Sequence, residues 1–217
     1  MAIIRVENAK LSMGSKVLFD NISFSINEGD RVGLVGNNGC GKSSLVKCLV
    51  GEYEFDKGLF TKKKGAVIGY VSQEIPEDIE NISCHDFLLE SLPVHDRESD
   101  FWKVDVALND LGLRPDLWHK PVKALSGGWR RLLLIASATL KEPDLLILDE
   151  PTNHLDLGKI FKLEKWLKDE ISIPYLMISH DREFMDAIVT RVYSISENRI
   201  TGYTGNYTRF LQQQEEN

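Results

Sequence analysis

One glycine-rich segment, GNNGCGKSS at residues 36–44, constrains the fold of this chain more than any other feature. It fits the pattern G-x-x-x-x-G-K-[ST], follows the β-rich run RVGLVG and precedes SSLVKCLVG, which we predict to be a helix. Glycines let backbone N–H groups turn inward around a phosphate, and a helix N-terminus favours the same anion. A glycine-rich turn with a chance lysine does not explain the flanking strand and helix. We therefore predict that the phosphate-binding residues are Gly36, Asn37, Asn38, Gly39, Cys40, Gly41, Lys42, Ser43 and Ser44.

Two adjacent carboxylates end a second apolar run, LLILDE at residues 145–150. Four consecutive apolar residues predict a buried strand of a parallel sheet. Beside the phosphate-binding loop, Lys42 would contact the β- and γ-phosphates, whereas Ser43 and Asp149 would hold Mg²⁺. Glu150 would act as the general base toward an attacking water. Without that loop, a strand capped by acidic turn residues would explain the pair equally well.

Two further polar side chains follow predicted strands. His180 comes after PYLMIS and Gln73 comes after IGYVS. Ligands of open α/β sheets bind at the carboxyl ends of the strands, so this position favours a functional role. His180 would contact the γ-phosphate and orient water, and the Gln73 amide would reach Mg²⁺ and the water. A histidine satisfied within a turn is the structural alternative, and Gln73 alone is uninformative.

The segment LSGGWRR at residues 125–131 places two glycines before the helix-forming run RLLLIASATL. Glycine is found where the backbone bends or where another group approaches closely. We predict that the N–H groups of Gly127 and Gly128 are exposed at the start of a helix, as an anion site requires. A tryptophan that packs against the helix start is the structural alternative for Trp129.

The order of elements predicts the fold. Residues 1–75 contain β-rich runs, and residues 58–73 are predicted to be a hairpin that ends in a strand. Residues 76–123 have helical spacing, which predicts a small helical subdomain. Strands then alternate with helices over residues 124–205, which predicts a parallel sheet with crossover connections. Residues 206–217 form a polar tail that we predict to be helical.

Composition limits the setting in which the chain works. The net charge is −7, which argues against a surface that binds nucleic-acid backbones over a wide area. The three cysteines show no C-x-x-C spacing, so we expect neither a disulfide framework nor a zinc site. Apolar runs are about five residues long, too short to insert in a membrane. These features, with no signal-peptide pattern, predict a cytoplasmic protein.

The motifs occur in the order phosphate-binding loop, Gln73, LSGG, LLILDE and His180. In this order the chain resembles an ATP-binding cassette (ABC) ATPase over essentially its whole length. The resemblance implies an α/β fold of the P-loop NTPase type. Its RecA-like parallel sheet core carries an antiparallel β subdomain and a small helical subdomain. The resemblance also implies that ATP and Mg²⁺ are bound and that ATP is hydrolysed.

The resemblance assigns roles to further residues. Residues 36–44 become the Walker A motif, Gln73 the Q-loop residue and His180 the switch histidine. Residues 153–156 become the D-loop, which ends at Asp156. In the family the signature faces the nucleotide of a second cassette. The residues implied to contact that nucleotide are Ser126, Gly127, Gly128 and Trp129.

Several segments are similar to one subfamily, ABC-F, whose soluble members carry tandem cassettes and mostly act on ribosomes. They are PTNHLD, SHDREFMD, the signature ending in Trp129, and GNYTRF. The tail is similar to the point where a first cassette enters an interdomain linker, so a second cassette is expected as partner. The ATPase subunit of a transporter with a separate permease is the alternative.

The chain departs from the family at two places. Met13 stands where an aromatic side chain usually stacks on adenine, so ATP and GTP both stay possible. The segment between Gln73 and the signature is short, which implies a reduced ribosome-contacting arm.

Overall fold

The computed structural model describes residues 1–216, and Asn217, the last residue of the predicted tail, lies outside them. The strands are β1 Ala2–Met13, β2 Lys16–Asn27, β3 Arg31–Gly36, β4 Lys57–Lys62, β5 Ile68–Val71, β6 Leu145–Asp149, β7 Tyr175–Ile178, β8 Arg191–Ser196 and β9 Arg199–Thr204. They form two sheets. The smaller sheet is antiparallel, in the order β2–β1–β4, and the larger has the order β5–β6–β7–β3–β8–β9.

The larger sheet is parallel from β5 to β8, and only its edge strand β9 runs antiparallel, paired with β8. β6 and β7 are buried along their whole length, as expected for strands that are covered on both faces. This sheet and the antiparallel sheet confirm the predicted α/β fold with a parallel core and a β subdomain.

Helices cover both faces of the parallel sheet and form a third group beside it. They are α1 Lys42–Val50, α2 Cys84–Ser91, α3 Trp102–Leu111, α4 Gly127–Leu140, α5 Leu157–Lys165, α6 Arg182–Ile188 and α7 Tyr207–Glu215. A π-helical turn, Trp166–Glu170, continues α5. Within residues 1–216, every helix is too short or too polar to cross a bilayer.

Three apolar clusters join these elements. One face of the parallel sheet packs with α1 and the antiparallel sheet, through residues such as Leu45 and Ile26. The opposite face packs with α4 to α7, through Leu132 and Phe210 among others. A third cluster joins α2, α3 and α4 around Leu88. Helix α4 therefore contributes both to the core below the sheet and to the helical subdomain.

The predicted hairpin over residues 58–73 is wrong. β4 pairs with β1 in the antiparallel sheet, whereas β5 pairs with β6 in the parallel sheet. The turn that contains Lys63 and Gly65 carries the chain from one sheet to the other. β4 is an exposed edge strand and β5 is half-buried, so the two strands belong to different sheets, although Phe60 and Tyr70 pack against the same apolar cluster.

Candidate functional site

Neighbouring strands bring the predicted residues to one edge of the parallel sheet. β5, β6, β7 and β3 lie side by side and run in the same direction. Gln73 follows β5, Asp149 ends β6, His180 follows β7, and the phosphate-binding loop follows β3. Because parallel strands present their carboxyl ends at the same edge, the fold gathers these four segments at one site.

The phosphate-binding loop has the backbone that the motif predicts. Gly41 has φ +107°, in the left-handed region, and a Cβ there would lie 2.7 Å from Phe19 Cζ. Gly36 has φ +154°, and its Cβ would lie 2.8 Å from the carbonyl oxygen of Ile195. No other residue fits these positions without strain, so the two glycines hold the loop between β2 and β8.

Lys42 lies across this loop. Its Nζ donates to the carbonyl oxygens of Gly36, at 2.7 Å, and Asn37, at 3.3 Å. Helix α1 begins at Lys42 with neither an acidic residue in its first turn nor a side-chain cap. The first N–H groups of α1 and the ammonium group therefore offer positive charge to a phosphate group, with no carboxylate in the first turn to compete.

The β1–β2 hairpin lies beside the loop. Met13 pairs with Lys16 at the hairpin end, and Lys16 Nζ donates to the carbonyl oxygen of Gly39 at 3.0 Å. Met13 is 45% exposed. A methionine in this place offers a soft apolar contact to a ring, though a less specific one than an aromatic side chain.

Both carboxylates at the end of β6 are buried. Burial raises the pKa of Asp149, and the charge of Glu150 raises it further, whereas Arg131, Lys42 and His180 lower it. Glu150 has a positive φ of +51°. Its backbone N–H donates to the carbonyl oxygen of Ile178 at 2.8 Å, and this bond fixes the direction of the chain after β6. The two acids are therefore held by the sheet rather than by a flexible loop.

Glu150 and His180 meet at this edge. The backbone N–H of His180 donates to Glu150 Oε2 at 3.2 Å, and His180 Nε2 lies 3.4 Å from Glu150 Oε1. Glu150 Oε1 makes no hydrogen bond in the described part of the chain, although it is buried. The Glu150 side chain is 6% exposed and that of His180 is 70% exposed. A buried acceptor without a partner, beside an exposed imidazole, suits a carboxylate that binds water.

The donor set at this edge suits Mg²⁺. Ser43 at the start of α1, Asp149, and Gln73 offer hydroxyl, carboxylate and amide oxygens, which are the ligands that Mg²⁺ prefers. Gln73 is exposed, and its side chain makes no hydrogen bond within residues 1–216. Its amide is therefore available for a ligand.

Arg131 is a residue of the site that the sequence interpretation did not assign. It is fully buried, and its guanidinium donates to the carbonyl oxygens of Ser72 and Gln73. Burial lowers the pKa of Arg131, and the charges of Asp149 and Glu150 offset this only in part. One signal was present in the sequence, because Arg131 falls on the same helical face as Ile135 and Ala138, which are buried.

The signature segment packs against its own chain. Gly127 and Gly128 begin α4, and a Cβ at Gly128 would lie 2.8 Å from the carbonyl oxygen of His154. At Gly127 it would lie 3.2 Å from His154 Cβ. Ser126 is exposed and does not cap the helix through its side chain. Gly128 is therefore required by close contact with the backbone of His154, whereas a Cβ at Gly127 would need only a small shift of the His154 side chain.

Trp129 and Asp156 are also engaged within the chain. Lys159 Nζ lies 4.8 Å from the centre of the Trp129 ring, which packs against two of the apolar clusters. Asp156 caps α5 by accepting from the Lys159 N–H at 3.0 Å, and it also accepts from Lys159 Nζ. This placement favours the structural interpretation of Trp129. Within residues 1–216, no hydrogen bond or ion pair joins Ser126 or Trp129 to the phosphate-binding loop.

Comparisons with known proteins show the family of the chain. The sequence model of the ABC transporter family matches residues 19–153. The chain is 36% identical to "Probable ATP-binding protein YheS" of Escherichia coli K12, over 96% of this chain and 37% of that protein. It is 34% identical to "ATP-binding protein Uup" of Buchnera aphidicola (subsp. Schizaphis graminum), over 100% of this chain and 36% of that protein. The chain thus spans little more than a third of these relatives.

Solved structures share the fold. One describes an inward-facing conformation of a putative metal-chelate type ABC transporter. It superposes with a TM-score of 0.80 at 26% identity, over 97% of this chain and 86% of that one. A nucleotide-free ATP-binding cassette from an ABC transporter gives a TM-score of 0.80 at 22% identity, over 98% and 96% of the two chains. The second likeness concerns the fold alone.

Proposed function

The chain belongs to the ABC transporter family as an ATP-binding cassette, and from this we propose that it hydrolyses ATP with the help of Mg²⁺. The observation that carries the proposal is the contact of Glu150 with His180 at the strand edge that also bears Lys42. The unpartnered Oε1 of Glu150 is the atom that would accept a proton from the attacking water.

The remaining residues of the edge hold the reactants. Lys42 and the amides of residues 36–44 would bind the phosphates, and Met13 would contact the base. Ser43, Asp149 and Gln73 would hold Mg²⁺, which supplies positive charge that stabilises the leaving phosphate oxygens. His180, exposed and fixed by its backbone bond to Glu150, would orient the water.

A Glu150→Gln variant tests this assignment. It keeps the shape of the side chain but removes the base, so we expect ATP affinity to be retained and turnover to fall by about 100-fold or more. Turnover is measured by phosphate release and affinity by calorimetry. Glu142→Gln, which changes an exposed carboxylate paired with Lys103, is the control and should keep full turnover. Retained turnover in Glu150→Gln would refute the role of Glu150.

We further propose that the catalytic unit contains a second cassette. The first N–H groups of α4 and the exposed Ser126 would contact a nucleotide that is bound by the partner. The relatives are long enough for more than one such domain, since the chain spans 36–37% of them. Sedimentation of Glu150→Gln with Mg-ATP, at rising protein concentration, tests for a homodimer. A monomer at all concentrations would exclude the homodimer and leave the second cassette of a tandem protein as the remaining form of this proposal.

The biological role that we propose is that of an ABC-F cassette acting on the ribosome. PTNHLD, the Trp129 signature and the GNYTRF segment support it, and the two relatives named above are described as ATP-binding proteins. We expect Glu150→Gln to sediment with ribosomes in ATP but not in ADP. Absence of nucleotide-dependent sedimentation would contradict the proposal.

The alternative is the ATPase subunit of a transporter with a separate permease. The structural match at 26% identity to a transporter favours it. Co-purification of the chain with a membrane protein, in place of ribosomes, would support this alternative.

A further inference from the structure

A cavity of about 320 Å³ lies next to the phosphate-binding loop, on the side of the loop that faces α7. Its walls come from the ends of β3 and β8, the start of α6, and α7. Tyr207, Phe210 and Leu211 of α7 form an apolar wall. The remaining lining is mostly polar, so the cavity has the composition of a binding site for a polar ligand.

The charged groups around this cavity are all basic. Lys42 and Arg182 line it beside the imidazole of His180, and none of the described lining residues is Asp or Glu. This is unusual for a chain with 33 acidic residues and 26 basic ones. Arg182 makes neither an ion pair nor a hydrogen bond among residues 1–216. Arg182 is exposed, so its guanidinium can bind an anion that enters the cavity.

An unpaired hydroxyl in the wall of the cavity points to a ligand independently of these charges. Ser194 of β8 lines the cavity and is only 7% exposed. Its side chain has no hydrogen-bond partner in the described part of the chain. Buried polar groups are normally paired, with protein or with a bound molecule. Ser196 and Gln214 line the same space and would add two more hydrogen bonds.

The cavity is separate from the place where we expect the nucleotide. Met13 and Lys16 approach the loop at Gly39, and neither lines the cavity. Ser43, Gln73 and the two carboxylates that end β6 do not line it either. Only Gly36, Asn37, Lys42 and His180 belong to both regions. The cavity therefore adjoins the phosphate-binding loop through a shared wall without being part of the metal site.

We infer that this cavity is a second anion subsite, which binds a tetrahedral oxyanion of the inorganic phosphate class. Arg182 supplies the charge that is not already used by the loop, and Ser194 supplies a hydroxyl donor from the wall of the cavity. The inference rests on the proposed function for one point, namely that phosphate is released next to this cavity. Free phosphate from solution has the same chemistry and would bind in the same way.

Phosphate titration of the full chain tests the inference. The chain is first saturated with Mg²⁺ and a non-hydrolysable ATP analogue, which occupies the loop. Inorganic phosphate is then added, and the amide shifts of Ser194 and Ser196 are followed by NMR. We expect saturable shifts at these residues. Arg182→Gln should weaken phosphate binding about tenfold, because one charge-assisted hydrogen bond is lost. Arg199→Gln, an exposed arginine outside the cavity, should leave it unchanged.

The same experiment has clear contrary outcomes. Phosphate that binds only when the analogue is absent would show a single site at the loop and overturn the inference. Equal phosphate affinity in Arg182→Gln and Arg199→Gln would also overturn it. If Arg182→Gln does not fold, Ser194→Ala takes its place, with an expected loss of about threefold from one neutral hydrogen bond.

The proposed function can fail separately. A chain that does not bind the ATP analogue at all would refute nucleotide binding at the loop. A chain that binds the analogue but not phosphate would refute the second subsite alone. To separate the two sources of phosphate, the hydrolysing chain is assayed with free phosphate added. Slower product release in the wild type than in Arg182→Gln would show that released phosphate visits the cavity.

Discussion

The glycine-rich segments at residues 36–41 and 126–128 both lead into helices, but they need glycine for different reasons. Gly36, Gly39 and Gly41 have φ values of +154°, +74° and +107°, which side chains rarely adopt. Gly127 and Gly128 do not have positive φ. Gly128 is required because a Cβ there would lie 2.8 Å from the carbonyl oxygen of His154, and a Cβ at Gly127 would lie 3.2 Å from His154 Cβ. The first segment therefore needs glycine for its backbone conformation, and the second needs it because another part of the chain packs closely against it.

The surroundings of the two segments differ in the same way. Next to the first, the chain itself supplies Lys42, Asp149, Glu150 and His180, the groups that we propose to act on a phosphoanhydride. Next to the second, the chain supplies packing groups, such as Lys159 against Trp129, and leaves Ser126 exposed. This difference supports the proposal that the signature contacts a nucleotide bound by a second cassette.

Arg131 joins the two regions, and its loss should have the largest effect. It lies in α4, the helix that begins with the signature glycines. Its guanidinium donates hydrogen bonds to the carbonyl oxygens of Ser72 and Gln73, close to Asp149 and Glu150. We expect Arg131→Met to lower the free energy of unfolding by about 3 to 5 kcal/mol, as when one partner of a buried charge group is removed. Urea denaturation measures this. Arg114→Met, which breaks an exposed ion pair with Asp116, should cost less than about 1 kcal/mol. Equal costs would show that Arg131 is not a link.

The next effect concerns nucleotide affinity. Lys42→Ala removes a cation that lies across the loop, so we expect ATP affinity of the isolated chain to fall roughly 100-fold, about 3 kcal/mol. Ser126→Ala should leave it unchanged, because Ser126 makes no contact with the loop. Titration calorimetry with Mg-ATP compares the two. A comparable loss of ATP affinity in both variants would mean that the signature contributes to the nucleotide site of its own chain. The two glycine-rich segments would then not differ in the way described above.

The steric role of the second segment predicts a smaller effect. Gly128→Ala places a Cβ 2.8 Å from a backbone oxygen, which cannot move as a side chain would. We expect a loss of about 1 to 3 kcal/mol in the free energy of unfolding. Gly158→Ala is the matched control, since Gly158 is also helical and its Cβ would meet Asp156 at an ordinary 3.4 Å. That substitution should stabilise the chain by up to about 1 kcal/mol. A neutral Gly128→Ala would show that the signature helix is free to shift.

Local sequence patterns predict the residues at the strand ends because each motif is flanked by an apolar run that is typical of a buried strand. The run LLILDE predicts a buried strand with Asp149 at its end, and RVGLVG before the glycines does the same for the loop. The parallel neighbours then bring these ends together. Such patterns do not show which distant backbone a side chain meets. The bonds of Arg131 to residues 72 and 73, and the contact of Gly128 with His154, depend on packing between segments far apart in sequence.

The failed hairpin over residues 58–73 teaches the same lesson about strands. β-rich runs and a glycine-containing turn are equally compatible with a hairpin and with a crossing between sheets. The choice is made by long-range partners, because β4 adds to the edge of β1 and β5 adds to β6. The residues of the turn do not indicate which strands β4 and β5 will pair with.

The smallest expected effect is a difference in how Asp149 and Asp156 make the free energy of unfolding depend on pH. Burial raises the pKa of Asp149, whereas hydrogen bonds from Lys159 lower that of Asp156, each from an ordinary value of 3.8. Where the folded pKa is raised, the native state binds the proton more tightly than the unfolded state does, so stability falls as pH rises between the two pKa values. Where it is lowered, stability is present above 3.8 and is lost as pH falls through the folded pKa.

Asparagine variants isolate these two contributions. Asp149→Asn removes a buried charge, and Asp156→Asn keeps an N-cap side chain for α5. We expect wild type to gain stability relative to Asp149→Asn as the pH falls from neutral toward 3.8, and to lose stability relative to Asp156→Asn as the pH falls below 3.8. Urea denaturation at a series of pH values gives both difference curves. Curves of the same sign would contradict the contrast, because they would place both carboxylates in one kind of electrostatic environment. Difference curves of opposite sign would show that burial destabilises the charged form of Asp149. They would also show that the helix cap and the Lys159 ammonium stabilise the charged form of Asp156.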